Sequence, residues 1–107
     1  MNPWFALLVA GFCEIGFTTC LKLAEGFRRP WPTAGFLVFS LASFLLLSKS
    51  LEKIPLGTAY AVWTGIGAFG TALVGMFFFR DPVTTVRLVL LAVLIGAILG
   101  LRLESGS

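Results

Sequence analysis

Histidine is absent from this chain of 107 residues, and charge is scarce, with 8 Lys and Arg against 5 Asp and Glu. Without histidine, and with only 2 cysteines, the sequence has no cluster of the residues that usually hold a metal or form a catalytic centre. We therefore expect neither a metal site nor an enzyme. The scarcity of charge beside 58% hydrophobic residues excludes an ordinary water-soluble domain. The basic residues flank apolar runs and form no basic stripe, so we expect no nucleic-acid partner.

Apolar sequence is what the chain has in excess, in four runs separated by short stretches rich in Gly, Pro and charge. The runs suit helices that cross a bilayer. The first run does not match a signal peptide, because it lacks a basic N-terminal region and has a carboxylate at its centre. The sequence thus predicts an all-α membrane protein with a single domain over residues 1–107 and transmembrane helices at about 4–21, 33–47, 58–79 and 83–103.

Glu14 is the only charged residue between residues 4 and 21. As a helix this run is about 27 Å long, close to the thickness of a bilayer core, so Glu14 is expected near the middle of the membrane. A carboxylate there is costly unless it faces a partner or a water-filled cavity. Thr18 falls one turn later on the same face, with Phe17 beside it, so this face is acidic, hydroxyl-bearing and partly aromatic.

The second and third runs carry further polar and aromatic residues. Ser43 is a candidate for the cavity wall, with helix packing or a bond to a backbone carbonyl as the alternative. In the third run, spacings of three, four and seven place on one broad helical face the residues Tyr60, Trp63, Thr64, Gly67, Gly70 and Thr71. We expect this face to line the cavity, with an interfacial aromatic belt as the alternative for Tyr60.

Residues 65–70 match the dinucleotide-binding pattern G-x-G-x-x-G. That fingerprint needs a strand, a turn and the start of a helix, whereas these residues lie inside an apolar run. We therefore expect no cofactor. Glycines in a membrane helix instead allow close packing or a bend.

Gly96 and Gly100 form a G-x-x-x-G pattern in the aliphatic fourth run. Such a pattern favours close contact between membrane helices. We expect a contact between subunits there, with packing inside one chain as the alternative.

Basic residues are divided almost evenly between the two sides of the predicted membrane protein. One side has Lys22, Arg28, Arg29, Arg80 and Arg87, and the other has Lys49, Lys53, Arg102 and the amino terminus. The positive-inside bias is therefore weak, which permits insertion in both orientations. Two oppositely inserted copies would form an antiparallel dimer, an intermolecular version of the inverted repeats within many transporters.

With Glu14 in place, residues 25–27 (EGF), 57–67 (GTAYAVWTGIG) and 96–100 (GAILG) give the chain a recognisable pattern. Over essentially its full length, the chain resembles the small multidrug resistance family of bacterial proton-coupled exporters. The resemblance implies a multi-pass protein of the bacterial inner membrane, embedded in lipid and assembled as an antiparallel dimer, with the fourth helix as the main dimer contact.

The resemblance also implies roles for single residues. Glu14 of both subunits would bind protons or a cationic substrate in competition. Tyr60 and Trp63 would line the site, and Ser43 would belong to its polar network. Protons entering from outside would displace the substrate, and cytoplasmic substrate would displace protons, while the dimer alternates its opening around the same site.

The branch of the family decides the expected substrate. Residues 63–70 look most like the guanidinium exporter branch, which predicts a proton-coupled antiporter for guanidinium or substituted guanidinium compounds. That branch usually has Trp three residues after its Glu, where this chain has Phe17. Glu14, Thr18 and Lys22 instead look like the branch that exports lipophilic quaternary ammonium drugs. Such an exporter, or one subunit of a heterodimeric exporter, is the alternative.

Two further readings follow from one intramembrane carboxylate. A proteolipid-type proton-carrying subunit also needs such a group, but it would not need the polar and aromatic face around Trp63. In an accessory membrane subunit, Glu14 would pair with a partner's cation, and flux by the purified protein alone would argue against that reading.

Overall fold

The computed structural model describes residues 2–104 and has four helices in that part of the chain. They are α1 (Pro3–Leu23), α2 (Pro30–Ser50), α3 (Leu56–Phe78) and α4 (Thr85–Glu104). All four are long and apolar enough to cross a membrane by length and composition. The prediction of an all-α chain with four such helices is therefore confirmed.

Prolines begin the first two helices. Pro3 opens α1, and the side chain of Asn2 caps it by accepting a hydrogen bond from the backbone N–H of Trp4 at 2.8 Å. Pro30 opens α2 without a side-chain cap from the residue before it, since the fixed φ of proline suits a first helical turn whose N–H groups have no partner. The predicted start of this helix at residue 33 was too late, because residues 30–32 were assigned to the loop on account of their prolines.

The loop between α1 and α2 is a tight turn in the left-handed region. Glu25, Gly26 and Phe27 have φ values of 49°, 73° and 67°. The backbone N–H groups of Arg28 and Arg29 then donate to the carbonyl of Ala24, at 3.0 and 3.2 Å. The turn reverses the chain within a few residues and sends α2 back along α1.

Close approaches at small residues set the direction of α2. A Cβ atom at Gly35 would lie 2.8 Å from the Cys20 sulfur, and one at Gly16 would lie 2.9 Å from the Phe39 ring. Positions on α1 therefore meet positions on α2 in reverse order, as in an antiparallel helix pair. The Cys20 thiol is half-buried in this interface.

The helix α1 lies between α2 and α3, whereas α4 packs against α3. The contacts of α1 with α3 follow the same order in both helices, so these two helices run parallel. The small core consists of Leu7, Ala10, Ile54, Ala59, Val62 and Trp63. No described residue of α4 is buried. Large apolar side chains cover the outside of the bundle, as in a protein whose surroundings are lipid.

Candidate functional site

A buried hydrogen-bond chain joins three helices at Ser43. The indole N–H of Trp63 on α3 donates to the Ser43 hydroxyl oxygen at 2.9 Å, and that hydroxyl donates to the backbone carbonyl of Ala10 on α1 at 2.7 Å. Ser43 is fully buried. Because its hydroxyl both accepts a hydrogen bond from the indole and donates one to the carbonyl, neither buried polar group lacks a partner. The chain fixes the Trp63 ring one helical turn from the level of Glu14.

Aromatic rings extend from this network. The ring centroid of Trp63 lies 5.6 Å from that of Phe44 and 5.8 Å from that of Tyr60. Phe17 joins the group through Phe44 at 6.0 Å. Tyr60 is 56% exposed and Phe44 is 52% exposed. The aromatic cluster of Phe17, Phe44, Tyr60 and Trp63 is thus fixed at its inner end and open at its outer end.

Glu14 lies on the side of α1 that faces α3, with its carboxyl group directly against the backbone of Gly67. A Cβ atom at residue 67 would overlap that carboxyl group, so only glycine leaves room for it. Within residues 2–104, the Oε1 atom of Glu14 is the one buried side-chain nitrogen or oxygen without a hydrogen-bond partner. A buried oxygen of this kind has capacity for a proton, a water molecule or a cationic donor.

Thr18 links α1 to α3 one turn beyond Glu14. Its hydroxyl oxygen lies 2.7 Å from that of Thr71, and it is also within hydrogen-bonding distance of the Glu14 carbonyl, at 2.9 Å. Thr71 belongs to the broad face predicted for the third run, but it was not among the predicted site residues. The signal that identifies it is its position one turn after Gly67, matching that of Thr18 after Glu14.

The other predicted lining residues lie at different distances from this centre. The hydroxyl of Thr64 donates to the carbonyl of Tyr60 on its own helix, at 2.8 Å. The ring of Phe17 packs toward α2, with its centroid 5.9 Å from that of Phe36. The structure therefore brings together Ser43, Trp63 and Tyr60 as one group and Glu14, Gly67 and Thr18 as another. The first group meets α1 at Ala10, one turn before Glu14.

A small cavity opens beyond the threonine pair, toward the end at which α1 and α3 both finish. It is called the polar cavity here for the threonine, lysine and aspartate side chains in its wall, although the larger part of its exposed wall is apolar. It has a volume of about 180 Å³ and is lined by Thr18, Thr19, Lys22, Thr71, Val74, Gly75, Phe79 and Asp81. The Asp81 carboxylate reaches back against Gly75, and the Lys22 ammonium lies 6.0 Å from the centroid of the Phe79 ring. Sequence reasoning missed this polar cavity because its residues come from two helices and a loop.

Gly96 and Gly100 lie away from the rest of the chain. A Cβ atom at either position would meet no atom within 4 Å in the part of the chain that the structure describes. The contact of α4 with α3 lies elsewhere on the helix, where Ile98 fits against Gly65, with 2.7 Å between the Ile98 Cδ1 atom and a Cβ built there. The packing of these two glycines inside one chain, which was the alternative, is therefore not observed in residues 2–104.

Metal ligands do not cluster in the described residues. Between residues 2 and 104, no group of three or more His, Cys, Asp or Glu side chains is close enough to hold a metal ion.

Comparison with known proteins gives matches over nearly the whole chain. A family model described as "Small Multidrug Resistance protein" matches residues 2–94. A protein named "Guanidinium exporter" from Yersinia pestis is 40% identical over 102 residues, which is 95% of this chain and 98% of that protein. A protein of the same name from Proteus vulgaris is 41% identical over 102 residues, again 95% of this chain and 98% of that protein. The membrane protein YvdR of Bacillus subtilis (strain 168) is 38% identical over 104 residues, or 97% of this chain and 98% of that protein.

Proposed function

The chain belongs to the small multidrug resistance family, and on that premise we propose that it is a proton-coupled antiporter that exports small organic cations of the guanidinium type. Its relatives at about 40% identity are named guanidinium exporters. They are transport proteins, which agrees with a role outside catalysis. The multi-pass chain would work in the bacterial inner membrane, where a proton gradient is available to drive export.

The observation that carries this proposal is the environment of Glu14. Its carboxyl group lies on the face of α1 toward α3, and one of its oxygens is buried without a hydrogen-bond partner in residues 2–104. A carboxylate inside a membrane needs a compensating charge. A proton and an organic cation both supply one, and they exclude each other because they neutralise the same group. Binding of substrate then releases a proton, and binding of a proton releases substrate.

Guanidinium is favoured as the cation because of its hydrogen bonds. A planar guanidinium donates paired N–H bonds to a carboxylate, whereas a quaternary ammonium has no N–H to donate. The Ser43–Trp63 bond holds the indole ring one turn from the Glu14 level, and the exposed ring of Tyr60 beside it is suited to stack on a planar cation. We assign proton and substrate binding to Glu14, Ser43, Tyr60 and Trp63, with Phe17, Thr18, Thr64 and Gly67 as surrounding residues.

A second copy of the chain would complete the site. The aromatic cluster is open at Tyr60 and Phe44, so one chain forms only part of a cavity wall. Gly96 and Gly100 leave the surface of α4 open to close approach by another helix. The nearly even distribution of basic residues permits opposite insertion of the two copies. We therefore propose an antiparallel homodimer, in which Glu14 of each copy faces one shared site.

The aromatic cluster also supports a competing substrate. Phe17 and Phe44 add apolar ring surface beside Trp63, and aromatic faces attract quaternary ammonium ions. An exporter of lipophilic quaternary ammonium compounds is therefore the second candidate function.

The test is transport by the purified protein in liposomes. Guanidinium, a singly substituted guanidinium and tetrapropylammonium are compared under an imposed proton gradient, with Glu14→Gln liposomes as the control. We expect guanidinium uptake coupled to proton movement in the wild type and none in the control. Transport of tetrapropylammonium without guanidinium would favour the quaternary ammonium reading. The absence of any flux from the protein alone would favour a heterodimer or an accessory subunit.

A further inference from the structure

Residues of α1 and α3 correspond at three successive levels, each one turn after the last, and the two helices are in contact at the first two. The levels pair residue 14 with 67, 18 with 71 and 22 with 75. At the first level the Glu14 carboxyl group contacts Gly67, at the second two hydroxyl oxygens are 2.7 Å apart, and at the third both residues line the polar cavity. Polar side chains of α1 therefore recur at each turn from Glu14 through Thr18 to Lys22, and Thr71 of α3 lies beside the second of them.

The polar cavity is suited to water. Its volume of about 180 Å³ has room for roughly six molecules at the volume that water has in the liquid. Threonine hydroxyls, the Lys22 ammonium and the Asp81 carboxylate supply donors and acceptors along its wall. Water in this cavity would find hydrogen-bond partners among these groups, as ordered water in proteins requires.

We propose that, while the dimer is open toward this end of the bundle, the polar cavity is a water-filled passage by which protons reach and leave Glu14, and that Thr71 is the positioning residue at its inner end. This proposal rests on the proposed role of Glu14 as the proton-binding group. The Thr71 hydroxyl, bonded to that of Thr18, positions the cavity water one turn from the Glu14 carboxyl group. The Thr18 hydroxyl bonds the backbone carbonyl of Glu14, so the last step to the carboxyl group runs through a water molecule. The proton itself ends on a Glu14 oxygen, and the two hydroxyls keep their own protons overall.

The passage would admit protons and exclude the organic cation. The Thr18–Thr71 bond ties α1 to α3 at 2.7 Å, so a guanidinium ion passes only if the two helices separate. The charged groups that face the cavity are Lys22 from α1 and Asp81 after α3. The substrate would instead enter at the open side of the aromatic cluster, near Tyr60.

The first experiment compares Thr71→Val with Thr71→Ser. Valine keeps the shape and removes the hydroxyl, whereas serine keeps the hydroxyl. Thr58→Val, in the first turn of the same helix, makes the identical chemical change outside the passage. Guanidinium-driven proton release by detergent-solubilised protein is followed by stopped flow with a pH dye, and equilibrium guanidinium binding is measured at the same pH.

We expect Thr71→Val to slow proton release roughly tenfold, because losing about one hydrogen bond raises the activation barrier by the corresponding amount. The guanidinium affinity should be unchanged. Thr71→Ser and Thr58→Val should release protons at the wild-type rate. If Thr71 had only a structural role, Thr71→Val would lower both protein stability and guanidinium affinity, and the rate of proton release would not change alone. If Thr71→Val releases protons at the wild-type rate while Glu14→Gln releases none, the passage is wrong and the proposed function stands. If Glu14→Gln releases protons normally, the proposed function itself fails.

The second experiment tests water in the cavity without removing Thr71. In a Cys13→Ala, Cys20→Ala background, Thr19→Cys places a thiol on the cavity wall, and Leu45→Cys places one on the exposed apolar face of α2. A membrane-impermeant, charged thiol reagent requires a hydrated thiolate. We expect labelling of Thr19→Cys and none of Leu45→Cys. Equal resistance of both thiols would show a dry cavity and would overturn the proposal, even if Thr71→Val does not fold.

Discussion

The helices α1 and α4 have similar lengths and are both apolar enough to cross a membrane, yet they differ in what surrounds them. The helix α1 lies between two neighbours and buries Ala6, Leu7, Ala10 and Gly11, whereas α4 buries no described residue. The intramembrane carboxylate lies on α1, and the uncovered glycine pair lies on α4. The difference teaches that a charged residue lies on a membrane helix that neighbouring helices enclose. Small residues lie instead on a helix surface that is free to contact another helix.

The largest expected effect comes from removing the charge of α1. Glu14→Gln fills the same space with an amide that cannot exchange a proton, so we expect loss of substrate-driven proton release with the fold retained. The measurement is proton release from detergent-solubilised protein on addition of guanidinium. Release at the wild-type level would show that the charge of α1 is not needed for proton exchange, and it would contradict the proposed function.

A smaller effect is expected from crowding that carboxyl group. In Gly67→Ala the new Cβ overlaps the Glu14 carboxyl group, and relieving such overpacking costs about 1–3 kcal/mol. If the carboxyl group moves, guanidinium affinity should fall by roughly ten- to a hundredfold, as measured by equilibrium binding. The control is Gly57→Ala, since a Cβ atom at Gly57 meets no atom within 4 Å in the described part of the chain. Equal affinities of the two variants would mean that Glu14 does not bind substrate at the Gly67 contact.

The glycine pair of α4 tests the other side of the comparison. Gly96→Leu with Gly100→Leu should lower crosslinked dimer and transport together, because large side chains keep two backbones apart. The double alanine variant at the same positions keeps the residues small and should retain most of both. Normal dimerisation of the leucine variant would place the contact between copies on another surface.

The smallest effect is expected at the hydrogen bond that holds Trp63. Ser43→Ala leaves the buried indole N–H of Trp63 without its acceptor, which costs about 1–3 kcal/mol in the free energy of unfolding. The control Ser40→Ala removes a hydroxyl that donates to Leu37 of its own helix, so we expect less than about 0.5 kcal/mol. Thermal unfolding in detergent ranks the two. Equal destabilisation would show that the link between α2 and α3 adds nothing to stability.

The four helices and the family were predictable from sequence because both depend on local pattern. Apolar runs of the right length predict spanning helices whatever their neighbours are. Helix ends were less predictable, as residues 30–32 show, because proline occurs both in loops and in first helical turns.

Contacts between helices were the part that sequence alone did not determine. Spacing places Thr18 on the Glu14 face and Thr64 on the Trp63 face, but it does not say how the two helices are rotated against each other. In the structure the Thr18 hydroxyl reaches Thr71, whereas the Thr64 hydroxyl bonds to its own backbone. The residue that completes a contact, here Thr71, becomes identifiable only when both helices are in place.

Because the levels of α1 and α3 are matched, the number of residues within each of these helices is constrained as well as their identity. One residue inserted into α1 between Glu14 and Thr18 would rotate the rest of that helix by about 100°. It would turn Thr18 and Lys22 away from α3 without altering any side chain. The same insertion after Pro82, in the exposed stretch before α4, would leave every level aligned and Asp81 against Gly75. Deletions and insertions should therefore be accepted in the stretch just before α4 and rejected within these two helices, even where each amino acid is one that a membrane helix accommodates.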